Sequence, residues 1–366
     1  MPMATTPILS PLGKLRAGLE LLIPSRKDDI DESMASFVRR RLGREVFERL
    51  VEPLVSGVYA ADMEKLSVLA TLPRFREMER QYGSLIWAMQ RQLKANKAAH
   101  LAEQSGARYS MFVTLRGGLS VIGETIAQKL PPGSLQLNTE IAQVDKTPEG
   151  KWNLSAVCRL PSAACSPSFD AVIIATLASE AAKVLSNTFP MLADKLGAIE
   201  HEGTAVATFA FDSPQIKQQF CGMGFVVPKI ERSPILAGSF SSIKYEHRAP
   251  SGKFLIRVFA GGARRPELAE MPKEQLAPLL LRELRNIIKI DGEPLFTTVA
   301  HWPNTMPQYN VGHRERMSEI ESLVSLESAL ALAGNAYLGV GIPSCIQSGF
   351  VAAEKIFSRC SGESGG

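Results

Sequence analysis

The chain has 366 residues, with 41 basic against 37 acidic side chains, a net charge of +4, 45% hydrophobic and 21% charged residues. That length suits two or three packed units, and the balance excludes both a disordered chain and a polytopic membrane protein. No block of like charges stands out beyond Arg39, Arg40 and Arg41, so nothing directs the chain to nucleic acid.

Residues 12–24 place Leu12, Leu15, Leu19, Leu22 and Ile23 at helical spacing around Lys14, Arg16 and Glu20, which predicts an amphipathic helix. Asp31, Glu32 and Ser33 then cap a second helix carrying Met34, Phe37, Val38 and Leu42. Its three arginines read as a solvated face, or alternatively as a surface meeting anionic lipid. Helical text continues to about residue 103 without a strand pattern, so residues 1–105 form one mostly helical unit. After Gly117 and Gly118, Leu119, Ile122, Ile126 and Leu130 predict a helix that Pro131 and Pro132 stop. A strand is expected over 135–144 with a hairpin partner over 151–160, and the apolar run 171–175 predicts a strand buried on both faces. Strands over 204–211, 224–227, 236–241 and 254–262 and a helix over 272–288 make a strand-rich second domain. A last strand over 330–334 leads through glycines to a helix over 344–357, and the residues from 360 onward are a tail.

Several chemistries find no support. Cys158, Cys165, Cys221, Cys345 and Cys360 are scattered and odd in number, which suits a reducing compartment and no zinc site. The five histidines lack ligand spacing, so no metal is assigned. Ser344 sits in G-I-P-S-C rather than G-x-S-x-G, which gives no nucleophile elbow. Residues 1–11 do not read as a secretory or transit leader, and no apolar run approaches the length of a membrane span. No G-x-G-x-x-G follows a predicted strand, so a complete dinucleotide fold is not expected.

Two segments invite a ligand. In 333–346, AGNAYLGVGIPSCI, a strand end meets Gly339, Gly341 and Pro343 just before a helix, where backbone can approach a ligand and helix N–H groups are open. Taken alone, an ordinary strand-to-helix connection explains it as well. Trp302, within His301, Trp302 and Pro303, could lie along a planar cofactor or pack in the core.

Five strings, in order, carry a resemblance: DESMASFVRRRLG (31–43), EPLVSGVYAADMEKLS (52–67), RGGLSVI (116–122), HRAPSGKFLIRVFAGG (247–262) and AGNAYLGVGIPSCIQSGFVAAEKI (333–356). Together they resemble the oxygen-dependent protoporphyrinogen oxidases of the flavin amine-oxidase superfamily. The resemblance implies an α/β (α+β) fold: a discontinuous FAD/NAD(P)-binding-like domain from 106–180 and 311–359, a mixed-sheet substrate-binding domain over 181–310, and a helical membrane-facing unit within 1–105. It implies FAD as cofactor, a porphyrinogen bound beside it, and molecular oxygen as acceptor with hydrogen peroxide as product. The flavin carries the redox chemistry, which agrees with the lack of an evident acid or base.

Matched residue by residue, the resemblance puts Val340, Gly341 and Ile342 at the C-terminal flavin contact, Trp302 near the flavin and Ile141 on the strand meeting adenine. Phe259 matches an aromatic packing on the macrocycle, and Val226 and Ser239 match residues gripping the tetrapyrrole, Ser239 being polar where an aliphatic is usual. The chain resembles family members that have lost their N-terminal segment, including the first βαβ unit, the ribose-binding acid and an arginine for a substrate propionate. Loss of that unit would expose the neighbours of the first strand. The implied activity is oxidation of protoporphyrinogen IX in haem biosynthesis; coproporphyrinogen III oxidation by the same chemistry, and a non-catalytic remnant, are the alternatives. A cytoplasmic location with peripheral membrane attachment is expected, and a homodimer is left open.

Overall fold

The computed structural model describes residues 5–102, 113–157, 168–327 and 329–360. Cys158 and Cys165, the far end of the 151–160 strand and the 361–366 tail lie outside the described residues. Two compact units form, Met1–Gly118 with Glu202–Thr305, and Leu119–His201 with Met306–Gly366. Helices and sheets are mixed throughout, as the α/β (α+β) expectation requires. Among the described residues no helix is long and apolar enough to cross a membrane.

The first unit opens with helix Pro11–Gly18, whose Ser10 hydroxyl accepts from the Gly13 amide, followed by a tight turn at Leu19–Leu22. Helix Met34–Leu42 starts at Ser33, whose hydroxyl accepts from the Ser36 amide 3.2 Å away, and it stops at Gly43 with φ 92°. The arginine run at its end is not a solvated face. Arg41 is fully buried: it pairs with buried Glu20 and donates to the carbonyls of Ile23 (2.9 Å) and Gly83 (2.8 Å). Arg40 reaches Glu79 and Glu32, each at 2.6 Å, and Arg76 at 2.6 Å and Arg41 at 3.6 Å bring two further cations to Glu79. Burial would raise the Glu79 pKa, but the Arg40 hydrogen bond, the Arg26 amide and Arg76 outweigh it and hold it at about 2. Only Arg39 keeps an exposed pairing, with Glu64. Sequence periodicity places charges on a helix face, but not the carboxylates that other helices bring to meet them.

The sheet of this unit has five strands in the order Gly224–Val226, Ala237–Phe240, Lys253–Gly261, His201–Asp212 and Phe296–Pro307. Alternation sorts its side chains. Phe254, Ile256 and Val258, with Ala207, Phe209 and Phe211 from the neighbouring strand, face helix Lys273–Ile287, which answers with Leu276, Leu280 and Leu284. The other face carries Arg257 and Phe259. Above its end lies helix Glu52–Tyr59, where a Cβ on Gly57 would sit 3.7 Å from Val226 and 3.8 Å from Ala237. Two ties hold that helix in place. Arg264 pairs with buried Glu52 and donates to the Ser56 hydroxyl at 2.8 Å. The Ala263 amide donates to the Ala60 carbonyl at 2.8 Å, past Gly262, whose φ of 66° and lack of a Cβ let the chains cross.

In the second unit, strands Glu140–Lys146, Trp152–Val157 and Ser168–Phe169 form an antiparallel meander. The first of these begins later than the 135 expected. Trp152 is fully buried against Val144, Leu185 and Leu196, with Phe189 at 5.8 Å between ring centres. Helices Ala178–Leu185 and Pro190–Gly197, which sequence patterning did not mark, supply much of this core. Strand Val172–Ile174 pairs in parallel with Leu330–Leu332. It is not covered on both faces: Val172 and Ile174 are buried while Ile173 is 41% exposed. Its length and apolar character promised a central strand, but the sheet it belongs to has two strands among the described residues.

Candidate substrate face and flavin turn

The register of the first unit's sheet brings the three sequence-predicted substrate residues together. Val226 lies opposite Ala237, Ala237 opposite Phe259, and Phe259 opposite Val206, so four apolar side chains form one row across four strands. Residues directly opposite share a face with Cβ atoms about 4.5–5.5 Å apart. The next row reads Gly224, Ser239, Arg257 and Thr208. Phe259, Val226 and Ser239 are each half-buried, and the Arg257 guanidinium lies 5.3 Å from the centre of the Phe259 ring. Apolar surface beside a cation and two hydroxyls suits a flat ligand with acidic substituents.

The glycine turn of the second unit is built by the strand Leu330–Leu332 running into helix Ile342–Cys360. Ala331, Ala333 and Ala352 are small enough for strand and helix to lie close. Gly334 (φ 136°) and Gly339 (φ 140°) take backbone that side chains resist, and the Gly334 amide donates to the Ser348 hydroxyl at 2.8 Å. A Cβ on Gly339 would come 2.9 Å from Ser344 Oγ. Val340 is half-buried, Gly341 and Ile342 are exposed, and the helical ladder begins with the Cys345 amide on the Gly341 carbonyl at 3.0 Å. Amides of the first helical turn lack intrahelical acceptors, so backbone donors and open space coincide there.

Behind the turn, Tyr309 donates to the Asn335 carbonyl at 2.6 Å and stacks on His313 at 4.1 Å. Burial, and secondarily the Arg316 charge, push His313 down to about 4, so the ring stays neutral. Burial likewise drives the Tyr337 hydroxyl upward, and that oxygen meets no hydrogen-bond partner among the described residues, while the backbone of Ala336 lies against the His313 ring. The turn therefore fits the edge of a flavin in three respects: left-handed glycines, exposed backbone at Gly341, and neutral polar groups behind it.

The remaining predicted contacts are placed separately. Ile141 packs against the second unit's core beside a register shift that leaves Ala142 without a cross-strand partner. Trp302 belongs to the first unit, on the outermost strand of the five, and at 54% exposure it is not a core residue. Arg257 was missed by sequence reasoning. Its signal was the i, i+2 spacing from Phe259, which puts both on one face of a strand.

The fold is that of a flavoprotein of mixed helix and sheet architecture. The chain belongs to the flavin containing amine oxidoreductase family, whose profile matches residues 4–357, and its cofactor is FAD. Among its relatives, coproporphyrinogen III oxidase of Bacillus subtilis is 32% identical over 360 residues, covering 96% of this chain and 73% of the relative. The chloroplastic protoporphyrinogen oxidase of Nicotiana tabacum is 29% identical, covering 95% of this chain and 66% of the relative. A crystal structure from Exiguobacterium sp. 255-15, provisionally named protoporphyrinogen oxidase, superposes with a TM-score of 0.79 at 26% identity, over 98% of this chain and 74% of that one. The chain thus spans about two thirds to three quarters of the length of these proteins.

Proposed function

We propose that this oxidoreductase oxidises a porphyrinogen, coproporphyrinogen III to coproporphyrin III, with molecular oxygen as the final acceptor. The observation that carries the substrate class is one sheet face on which the half-buried Phe259 adjoins a cationic, hydroxylated row of Ser239, Arg257 and Thr208. The bacterial relative favours coproporphyrinogen. When bound, FAD supplies the two-electron oxidations. The chain's own share is to seat the macrocycle on Phe259 and Val226, and to hold the flavin edge with the backbone of Val340, Gly341 and Ile342. Ile141 is proposed near the adenine and Trp302 near the flavin ring. Ser239 grips a polar substituent in place of the usual aliphatic contact.

Protoporphyrinogen IX is the second reading, which the tobacco relative favours. The two separate in one experiment: the FAD-loaded chain is given each porphyrinogen in air, and porphyrin fluorescence is followed with oxygen uptake. Coproporphyrinogen should turn over at least several-fold faster in kcat/KM. A reversed preference selects the second reading, and a flavin-bound protein inert toward both abandons porphyrinogen chemistry. In the same assay Phe259→Ala should weaken porphyrin binding while leaving flavin content unchanged.

Peripheral membrane seating belongs to this proposal. Leu12, Leu15, Leu19 and Leu22 all project into solvent from the first helix and its following turn, while Ala17 and Glu20 face inward. Such an apolar stripe suits insertion at a headgroup boundary.

A further inference from the structure

Several buried or half-buried arginines of the first unit meet a carboxylate: Arg40 has Glu32 and Glu79, Arg41 has Glu20, and Arg264 has Glu52. Arg257 and Arg248 do not. Arg248 donates to the Thr114 hydroxyl at 2.5 Å and the Leu115 carbonyl at 3.2 Å, both neutral, and its head lies 5.8 Å from the Tyr245 ring. Arg257 is held over Phe259 and has no ion pair with a described residue. Partial burial, and after it the Arg248 charge, push the Arg257 guanidinium down from its ordinary value, and an anion beside it would relieve both.

The register supplies the rest of a receptor. Ser239 lies directly across from Arg257 on one side and Thr208 on the other, which sets hydroxyl, guanidinium and hydroxyl in line. Two residues along, on the same face, is the apolar row of Phe259. We infer that the row Ser239, Arg257 and Thr208, seconded by Arg248, binds a carboxylate side chain of the porphyrinogen while the macrocycle rests on Phe259. This rests on the porphyrinogen reading and goes beyond it, because it names the residues that take a carboxylate of the substrate. Coproporphyrinogen carries a propionate on every pyrrole, so any in-plane seating brings a carboxylate to the row. Protoporphyrinogen keeps propionates on two pyrroles and reaches the row in half of its seatings, a statistical difference of only about twofold.

The test is direct binding to the full chain, measured by porphyrin fluorescence, with coproporphyrin III, its uncharged tetramethyl ester and protoporphyrin IX as probes. Arg257→Gln should weaken coproporphyrin III binding about tenfold or more, the range for a charge-assisted hydrogen bond, and change ester binding less than about threefold. Arg257→Lys should recover part of the loss, and thermal melting should stay unchanged because the side chain is exposed. Equal losses for acid and ester would mean that Arg257 supports only the ring, which overturns the carboxylate role while leaving porphyrinogen binding intact. Protoporphyrin IX, which keeps two propionates, should lose affinity to a similar extent, and no loss for it would overturn the carboxylate role. If the unaltered chain binds none of the three, the porphyrinogen reading itself fails and the clamp with it.

Discussion

Replacing Arg41 with Met removes the cation at the centre of the buried ionic cluster and keeps the stem's volume. Glu20 would then retain the Ser84 hydroxyl at 2.5 Å and the amides of Leu85 (2.9 Å) and Ile86 (3.3 Å), but no positive charge at its buried carboxylate. The carbonyls of Ile23 and Gly83 lose their donor at the same time. Breaking one half of a buried pair costs about 3–5 kcal/mol, because the remaining charge is left desolvated. At about 2–4 °C per kcal/mol, melting should fall by roughly 10 °C. Urea titration followed by circular dichroism, with Glu20→Gln and the double variant completing a cycle, measures the coupling. The double variant should cost at least ~2 kcal/mol less than the sum of the singles. Additive effects, or a loss below about 1 kcal/mol for Arg41→Met, would refute the claim that this cluster anchors the helix Met34–Leu42.

Three further outcomes are expected. His313 is held at about 4 when folded against an ordinary 6.5, so the unfolded chain takes up a proton first; stability should be full above pH 6.5 and fall as pH drops toward 4. The loss is about 3 kcal/mol, and His313→Phe should flatten that limb of the urea midpoint against pH. Gly339→Ala should cost about 1–3 kcal/mol of local strain and lower flavin retention on gel filtration, because a Cβ there meets Ser344 Oγ in a left-handed backbone. Leu12→Asp with Leu22→Asp should abolish co-flotation with anionic vesicles at moderate salt without changing the melting temperature, both side chains being exposed.

Alternating or apolar runs made most of the first unit's sheet legible: 204–211, 224–227, 236–241 and 254–262 all fall on observed strands. Strand Phe296–Pro307 was not legible, since its text of threonine, histidine, proline and asparagine lacks alternation and it is exposed along most of its length. Arg40 and Arg41 misled for a physical reason, because an arginine in a helix has the same local pattern whether it meets water or a glutamate from a distant turn. The resemblance named Phe259, Val226 and Ser239 as substrate contacts, and the register places the three on one face of the sheet. Periodicity alone could have added Arg257. The glycine turn was visible in Gly339 and Gly341, whereas the Tyr309 and His313 stack behind it depends on a helix, His313–Ser325, that patterning did not reveal.

The parallel pairing of Val172–Ile174 with Leu330–Leu332 sets a timetable for synthesis. The earlier strand leaves the ribosome before the whole of 202–305, and its described partner follows that stretch. Much of the intervening chain makes hairpins with close neighbours and can close as it is made, whereas the earlier strand must wait. During that interval Val172, Ile174 and Leu185 have no Leu330 or Ile320 to pack against. A nascent chain would therefore carry an unfinished second unit through the folding of the first, and chaperone capture or misassembly should concentrate on residues 172–199.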